Sequence, residues 1–121
     1  MYKIPLKDGS PVLEFVTRIP GKRHTVKLDA IIDTGAQFLM IPEKHKNLFG
    51  FNETGKVERF RSASGHSLKG TQAIVIIHIK EIGVYPLTAY FYPGKSILFG
   101  IRELTRMAKF CVDKQFFYLS T

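Results

Sequence analysis

The most chemically distinctive segment of the sequence runs from Ala30 to Ala36 (AIIDTGA). Apolar residues lead up to Asp33, and the small residues Thr34 to Ala36 follow it. Because Gly35 has no side chain to block close approach, such a turn can present a carboxylate and backbone N–H groups at one point. An unpaired charge is costly to bury, so an acid between two apolar segments needs a reason. Two interpretations are open: Asp33 caps a chain reversal as an Asx turn, or it is a catalytic acid.

Other patterns for nucleophiles and metal sites are weaker. Ser64 lacks a G-x-S-x-G context, and there is no phosphate-binding glycine-rich loop. Cys111 stands between Phe110 and Val112 without a nearby metal-ligating partner, so we expect a buried, unreactive thiol. The histidines do not have the spacing of metal ligands: His24, His45, His66 and His78. The sequence therefore predicts neither a metal nor a cofactor.

Length and composition limit the classes of protein. The chain has 121 residues, of which 45% are hydrophobic and 23% charged, as in globular proteins. We expect one domain over residues 1–121, too short to hold two catalytic lobes. A single cysteine excludes internal disulfides and fits a reducing compartment. With no apolar stretch long enough for a signal peptide or a membrane span, we expect a soluble, cytoplasmic protein with no membrane partner.

The elements that must position Asp33 are predicted to be short strands. Alternating apolar residues predict a hairpin of strands at 11–19 and 25–32. A second hairpin is expected at about 57–80, with its turn near Ser64 and Gly65. The remaining predicted elements are strands at 84–91, 97–99, 110–112 and 116–119, and helices at 42–48 and 102–109. The sequence thus predicts an all-β fold with one or two short helices.

The segment Asp33-Thr34-Gly35-Ala36 after an apolar strand resembles the active-site motif of aspartic peptidases, in particular the retropepsin-like branch that includes the retroviral proteases. The resemblance extends along most of the chain: Arg61–Gly70 stands where the family has its flap, and Leu98-Phe99-Gly100 precedes a short helix. Ile101 stands where many relatives carry Arg, so their ion pair at this position is not carried over. The resemblance implies a closed β-barrel or sandwich of short strands with a flap hairpin at about 57–80.

The same resemblance implies roles for individual residues. Asp33 would be catalytic, Thr34 would brace the two motif loops and Gly35 would face the substrate backbone. Ala36 stands where some relatives carry Ser, and its missing hydroxyl favours a less acidic working pH. For Phe38 and Leu98, ordinary core packing is an equally open interpretation. The implied substrate-binding residues are Gln37, Phe38, Ala63, Ser64, Gly65, His66, Ser96 and Leu98.

The number of carboxylates available for catalysis predicts the oligomeric state. Peptide hydrolysis of this type needs two, one ionised and one protonated. None of the other aspartates, Asp8, Asp29 and Asp113, lies in a second copy of the motif. Asp29 is also too far along its strand to pair with Asp33. The sequence therefore predicts a homodimeric aspartic endopeptidase with one Asp33 from each subunit, acting on a peptide or protein substrate.

Two alternatives stay open. The first is a dimeric binding module of the same fold without proteolysis. The second is a small basic β-barrel that binds nucleic acid, because the net charge is +8 and Phe60, Tyr90 and Tyr92 could stack on bases. Since the positive charges form separate small clusters rather than one run, a nucleic-acid partner is the less favoured alternative. Arg59, Arg61 and Lys69 near the flap arms could instead attract acidic substrates.

Overall fold

The computed structural model describes residues 1–7, 9–21, 23–49, 56–61, 65 and 67–121. Strands dominate this part of the chain, and no helix in it is long and apolar enough to cross a membrane. The strands are β1 (Tyr2–Lys7), β2 (Ser10–Arg18), β3 (Val26–Asp33), β4 (Leu39–Pro42), β5 (Val57–Arg61), β6 (Ser67–Ile79), β7 (Gly83–Tyr92), β8 (Leu98–Gly100), β9 (Lys109–Val112) and β10 (Phe116–Ser120). The helices are a 3₁₀ helix (Glu43–Phe49) and α1 (Ile101–Thr105).

The predicted first hairpin is confirmed. β2 and β3 pair antiparallel from Val12 opposite Ile31 to Thr17 opposite Val26. Because successive side chains of a strand point to opposite faces, every second residue can enter the core. The buried residues of this hairpin are Leu13, Phe15, Thr17, Val26, Leu28, Ala30 and Ile32. The apolar alternation therefore fixes which face of each strand is buried.

Six strands close into a barrel. Neighbouring strands are hydrogen-bonded to each other in the order β2, β3, β8, β4, β7 and β6. The barrel is closed by pairing of β6 with β2, from Val16 opposite His78 to Arg18 opposite Ile76. The largest fully buried side chains include Phe15, Phe91 and Phe99. The rings of Phe15 and Phe99 meet edge to face with their centroids 5.6 Å apart. The predictions of an all-β fold and a closed barrel are confirmed.

The short strand β8 lies between β3 and β4, although β3 and β4 follow each other in the sequence. β8 runs parallel to β3, with Asp33 opposite Gly100, and antiparallel to β4. The turn that joins β3 to β4 must therefore pass over the end of β8. This crossing brings residues from two distant parts of the sequence to one place.

An antiparallel arm is formed by β5 and the first residues of β6. The pairing runs from Val57 opposite Thr71 to Arg61 opposite Ser67. Gly65, in the predicted turn, has φ of +85°, a conformation that favours glycine. Beyond the arm, β6 continues to Ile79 and pairs with β7.

The two ends of the chain extend the sheet beyond β2 by the run β1–β10–β9, in which β1 pairs with both β2 and β10. β1 was not predicted: its partner β10 lies more than a hundred positions away, and Ile4 is buried opposite Phe117. The helix predicted over 102–109 is shorter than expected, because α1 ends at Thr105 and the chain enters β9 at Lys109. The expectation that Cys111 is buried is wrong: β9 is an edge strand, and the thiol is exposed.

Candidate active site

Asp33 is the last residue of β3 and is half-buried. The Gly35 N–H donates a hydrogen bond of 2.7 Å to its Oδ1, and the Ala36 N–H donates to its carbonyl oxygen at 3.4 Å. This is the geometry of an Asx turn, the first interpretation of the motif. The same hydrogen bond fixes the direction of the carboxylate, so the turn also suits a catalytic acid.

Gly100 allows the Asp33 turn to pass close to β8. A Cβ atom at Gly100 would lie 2.7 Å from the Ala36 carbonyl oxygen and 2.8 Å from the Phe38 nitrogen. The Gly100 N–H donates to the Phe38 carbonyl oxygen at 3.1 Å. Since these neighbouring atoms belong to the backbone, they cannot rotate away to make room for a side chain at position 100. Gly100 is therefore part of the scaffold that holds Asp33.

A cavity of about 540 Å³ opens beside Asp33. Apolar side chains dominate its wall, and Asp33 is the one carboxylate among the described residues that line it. The lining residues are Asp33, Gly35, Ala36, Gln37, Phe38, Met40, Arg59, Phe60, Arg61, Leu68, Tyr92 and Leu98. A negative group at the edge of an apolar cavity is an arrangement that can bind an apolar side chain next to a reacting bond.

Three aromatic rings form a cluster beside the cavity, and two of them, Phe38 and Phe60, line it. Phe38, Phe60 and Tyr90 contact one another edge to face, with centroids 4.8 to 6.1 Å apart. Gly70 makes room for this cluster, because a Cβ there would lie 2.7 Å from the Phe60 ring. Phe38 packs against a small second core and also lines the cavity. The two positions expected for this residue, in a core and in a cavity wall, are therefore compatible.

Tyr92 lines the cavity on the β7 side and was not among the predicted site residues. Its hydroxyl donates a hydrogen bond to the Ser96 carbonyl oxygen, and its ring lies over Gly94. Burial raises the pKa of Tyr92, and the negative charge of Asp33 raises it further. The phenol therefore stays protonated around neutral pH and keeps its hydrogen bond to the loop 93–96.

This architecture has a counterpart among solved structures. A retropepsin-like aspartic protease from Rickettsia conorii superposes on 98% of this chain and 86% of its own, with a TM-score of 0.70 and 20% sequence identity. The fold is retropepsin-like. No protein-family model matches the sequence, and the search of curated proteins gives no match. The resemblance inferred from the Asp33 motif is confirmed at the level of the fold.

Within this retropepsin-like fold, some predicted site residues meet and others do not. Gly35, Ala36, Gln37, Phe38 and Leu98 surround one cavity with Asp33. Thr34, Gly65 and Ser96 are exposed and do not line it; Ser96 is linked to the cavity through Tyr92. Ala63, Ser64 and His66 lie outside the described residues.

The cavity also contains residues that the sequence did not assign to a substrate pocket: Met40, Phe60, Leu68 and Tyr92. For Phe60 and Leu68, the sequence pattern contained a signal that could have identified them. Phe60 stands between Arg59 and Arg61, and Leu68 is its partner across the arm. An apolar pair flanked by charged residues on both strands of a hairpin indicates a face turned towards the protein.

The retropepsin-like packing does not favour the nucleic-acid alternative. That alternative needs exposed rings for base stacking. Tyr90 and Tyr92 are only 2% and 6% exposed. Their faces are covered by the protein's own side chains, so they do not form a stacking platform.

Proposed function

We propose that this protein is an aspartic endopeptidase that works as a homodimer, with one Asp33 from each subunit. One observation carries the proposal: the Gly35 amide holds the Asp33 carboxylate at the edge of an apolar cavity in a retropepsin-like fold. The fold gives the reaction class by analogy, and the site supplies the acid and a place for substrate.

The chemistry needs two carboxylates in opposite protonation states. Two carboxyl groups about 3 Å apart share one proton, because both cannot be ionised at that distance. The ionised Asp33 takes a proton from water while the water oxygen attacks the scissile carbonyl carbon. The protonated Asp33 gives its proton to the carbonyl oxygen. The C–N bond of the tetrahedral intermediate then breaks as the first carboxyl gives its proton to the amine nitrogen, and a hydroxyl of the intermediate gives its proton to the second carboxylate as the new carbonyl forms. Both carboxyl groups thereby return to their starting state.

The second carboxylate is proposed to come from a second copy of the chain. Asp33 is the one carboxylate among the described residues that line the cavity. Asp29 is exposed and lies four residues earlier on β3, about 13 Å along the strand. Asp113 is engaged in the turn before β10, where the Tyr118 hydroxyl donates to it. Neither supplies a partner within the subunit.

The substrate is proposed to be an extended peptide with an apolar side chain close to the scissile bond. Phe38, Met40 and Leu98 would contact that side chain from the barrel, and Phe60 and Leu68 from the arm. Arg59 and Arg61 also line the cavity, so an acidic residue near the apolar one would add a favourable charge contact.

The test compares the wild type with Asp33→Asn on a peptide library from pH 3 to pH 8. Asp29→Asn is the matched control, because it removes an exposed carboxylate from the same strand. We expect cleavage by the wild type and by Asp29→Asn, and none by Asp33→Asn. Equal cleavage by the wild type and Asp33→Asn, or no cleavage by any form, would contradict the proposal and favour a binding module without proteolysis.

A further inference from the structure

The arm of β5 and β6 has two faces of different character. Phe60 and Leu68 lie opposite each other and turn towards the barrel, where the Phe60 ring belongs to the aromatic cluster. Because successive side chains of a strand point to opposite faces, Arg59, Arg61 and Lys69 point away from the barrel. All three are exposed. The outer face of the arm consists of Val57, Arg59, Arg61, Ser67, Lys69 and Thr71.

The positive charges of the outer face are not neutralised within the part of the chain that the structure describes. There, none of Arg59, Arg61 and Lys69 forms an ion pair. The one acidic residue among the described residues of the arm, Glu58, lies on the other face, near the Tyr90 hydroxyl. In this part of the chain, the outer face therefore presents three cations and no anion.

Two of these cations, Arg59 and Lys69, lie directly opposite each other in the closest kind of cross-strand pair. At the base of the arm, the Gln72 N–H donates to the Lys56 carbonyl oxygen at 2.7 Å, so these facing residues are a hydrogen-bonded pair. Such pairs alternate with non-hydrogen-bonded pairs, in which the side chains approach more closely, and Arg59 and Lys69 form a pair of the second kind. Like charges in this position destabilise the arm.

Protection of the arm against pairing with another strand does not account for this arrangement. Edge strands commonly carry charge for that purpose. A carboxylate opposite Arg59 would protect the edge equally well, and it would attract Arg59 instead of repelling it. The observed pair therefore destabilises the free protein, and an anionic ligand bound across the two strands would relieve the repulsion.

We propose that the outer face of the arm binds an extended, acidic peptide segment of another protein. Arg59 and Arg61 lie two residues apart on one face of β5, about 7 Å along the strand. An extended peptide presents every second side chain at the same spacing. Carboxylates at positions i and i+2 of the segment can therefore form charge-assisted hydrogen bonds with Arg61 and with the pair of Arg59 and Lys69 at the same time.

Val57 favours a peptide over a nucleic acid as the ligand. It continues the same spacing, two residues before Arg59, and is 62% exposed. An apolar side chain two positions beyond the acidic pair would cover it, whereas a row of phosphates has no apolar group to place there. A nucleic acid would also find no ring for base stacking, since Phe60, the one aromatic residue among the described residues of the arm, lies on the other face.

The outer face begins at the cavity and extends away from it. Arg59 and Arg61 also line the cavity beside Asp33, whereas Val57 and Lys69 do not. A segment on the outer face therefore lies partly outside the cavity, and its binding uses no carboxylate of this protein. The inference goes beyond the proposed function and does not depend on it, so either can fail while the other stands.

Two labelled peptides of identical composition test the spacing by fluorescence anisotropy. One carries valine and two glutamates at every second position, separated by serines, and the other carries the same three residues in one uninterrupted run. Every form of the protein carries Asp33→Asn, so that no peptide is cleaved during the titration. We expect the alternating peptide to bind at least fivefold more tightly. Equal affinities would overturn the inference, and so would tighter binding of an oligothymidylate of the same length.

Matched charge reversals locate the site. Lys69→Glu and Lys80→Glu change the net charge equally, but Lys80 is exposed at the far end of β6, directly after Ile79. We expect Lys69→Glu to weaken binding of the alternating peptide at least tenfold and Lys80→Glu less than twofold. Lys69→Glu should also raise the urea midpoint of unfolding, because attraction to Arg59 replaces repulsion. Equal weakening by the two variants, or a lower midpoint for Lys69→Glu, would overturn the inference.

Discussion

Asp33 and Gly100 lie opposite each other at the ends of two parallel strands, and the turn after Asp33 passes directly over Gly100. The turn backbone is so close that a single methyl group on Gly100 would overlap it. Two segments about 65 positions apart in the sequence are therefore one structural unit. The carboxylate is held by its own turn, and the turn is held by β8.

Gly100→Ala should destabilise the protein strongly. The added Cβ would meet backbone atoms of the Asp33 turn at 2.7 and 2.8 Å. We expect a loss of about 3 kcal/mol in the free energy of unfolding, measured by urea denaturation. Gly21→Ala is the comparison, because that site has open space but a φ of +83° and costs only about 1–2 kcal/mol. Equal losses in the two variants would show that the close contact is not decisive.

Gly94 and Tyr92 should be energetically coupled. A Cβ at Gly94 would overlap the ring and the hydroxyl of Tyr92, so Gly94→Ala must displace this side chain and break its hydrogen bond to Ser96. In a double-mutant cycle, Gly94→Ala should destabilise the wild type and cost almost nothing in the Tyr92→Ala background. The expected coupling energy is about 1–3 kcal/mol. Additive losses would contradict the packing described for this loop.

Thr17→Val should stabilise the protein. Thr17 is 1% exposed on the core face of β2, and its Oγ1 has no hydrogen-bond partner within the described part of the chain. Valine has nearly the same shape as threonine, and the substitution removes a hydroxyl group that is buried without a hydrogen bond. We expect a gain of about 1 kcal/mol in thermal or urea unfolding. A loss of stability would mean that the hydroxyl is hydrogen-bonded after all.

Asp113 should make stability depend on pH. The Gln115 N–H, the Tyr118 hydroxyl and the Phe116 N–H all donate to this carboxylate and hold its pKa below the usual value. A lowered pKa in the folded state contributes stability above the unfolded pKa of about 3.9, and this contribution is lost as the pH falls through the folded pKa. The melting temperature of Asp113→Asn should therefore lie below that of the wild type at pH 7. The difference should shrink towards pH 2; a constant difference would rule out a role for the charge.

The sequence predicted features that depend on local pattern. Apolar alternation was enough to predict β2 and β3, and the residues around Asp33 were enough to predict the turn that follows it. β1 and the exposure of Cys111 could not be predicted, because they depend on which distant strand lies alongside. Tyr92 and Met40 were missed for the same reason: a cavity is formed by strands that meet only in the folded barrel.

The central claim is that two Asp33 carboxylates from two chains form one catalytic site. A subunit-mixing experiment tests it most directly: wild type at fixed concentration is equilibrated with increasing Asp33→Asn, and peptide cleavage is measured. Because each mixed dimer would carry a single carboxylate, a threefold excess of the variant should reduce the activity of the wild-type chains to about one quarter. Wild-type activity that stays constant under any excess of Asp33→Asn, with subunit exchange verified, would contradict the shared site.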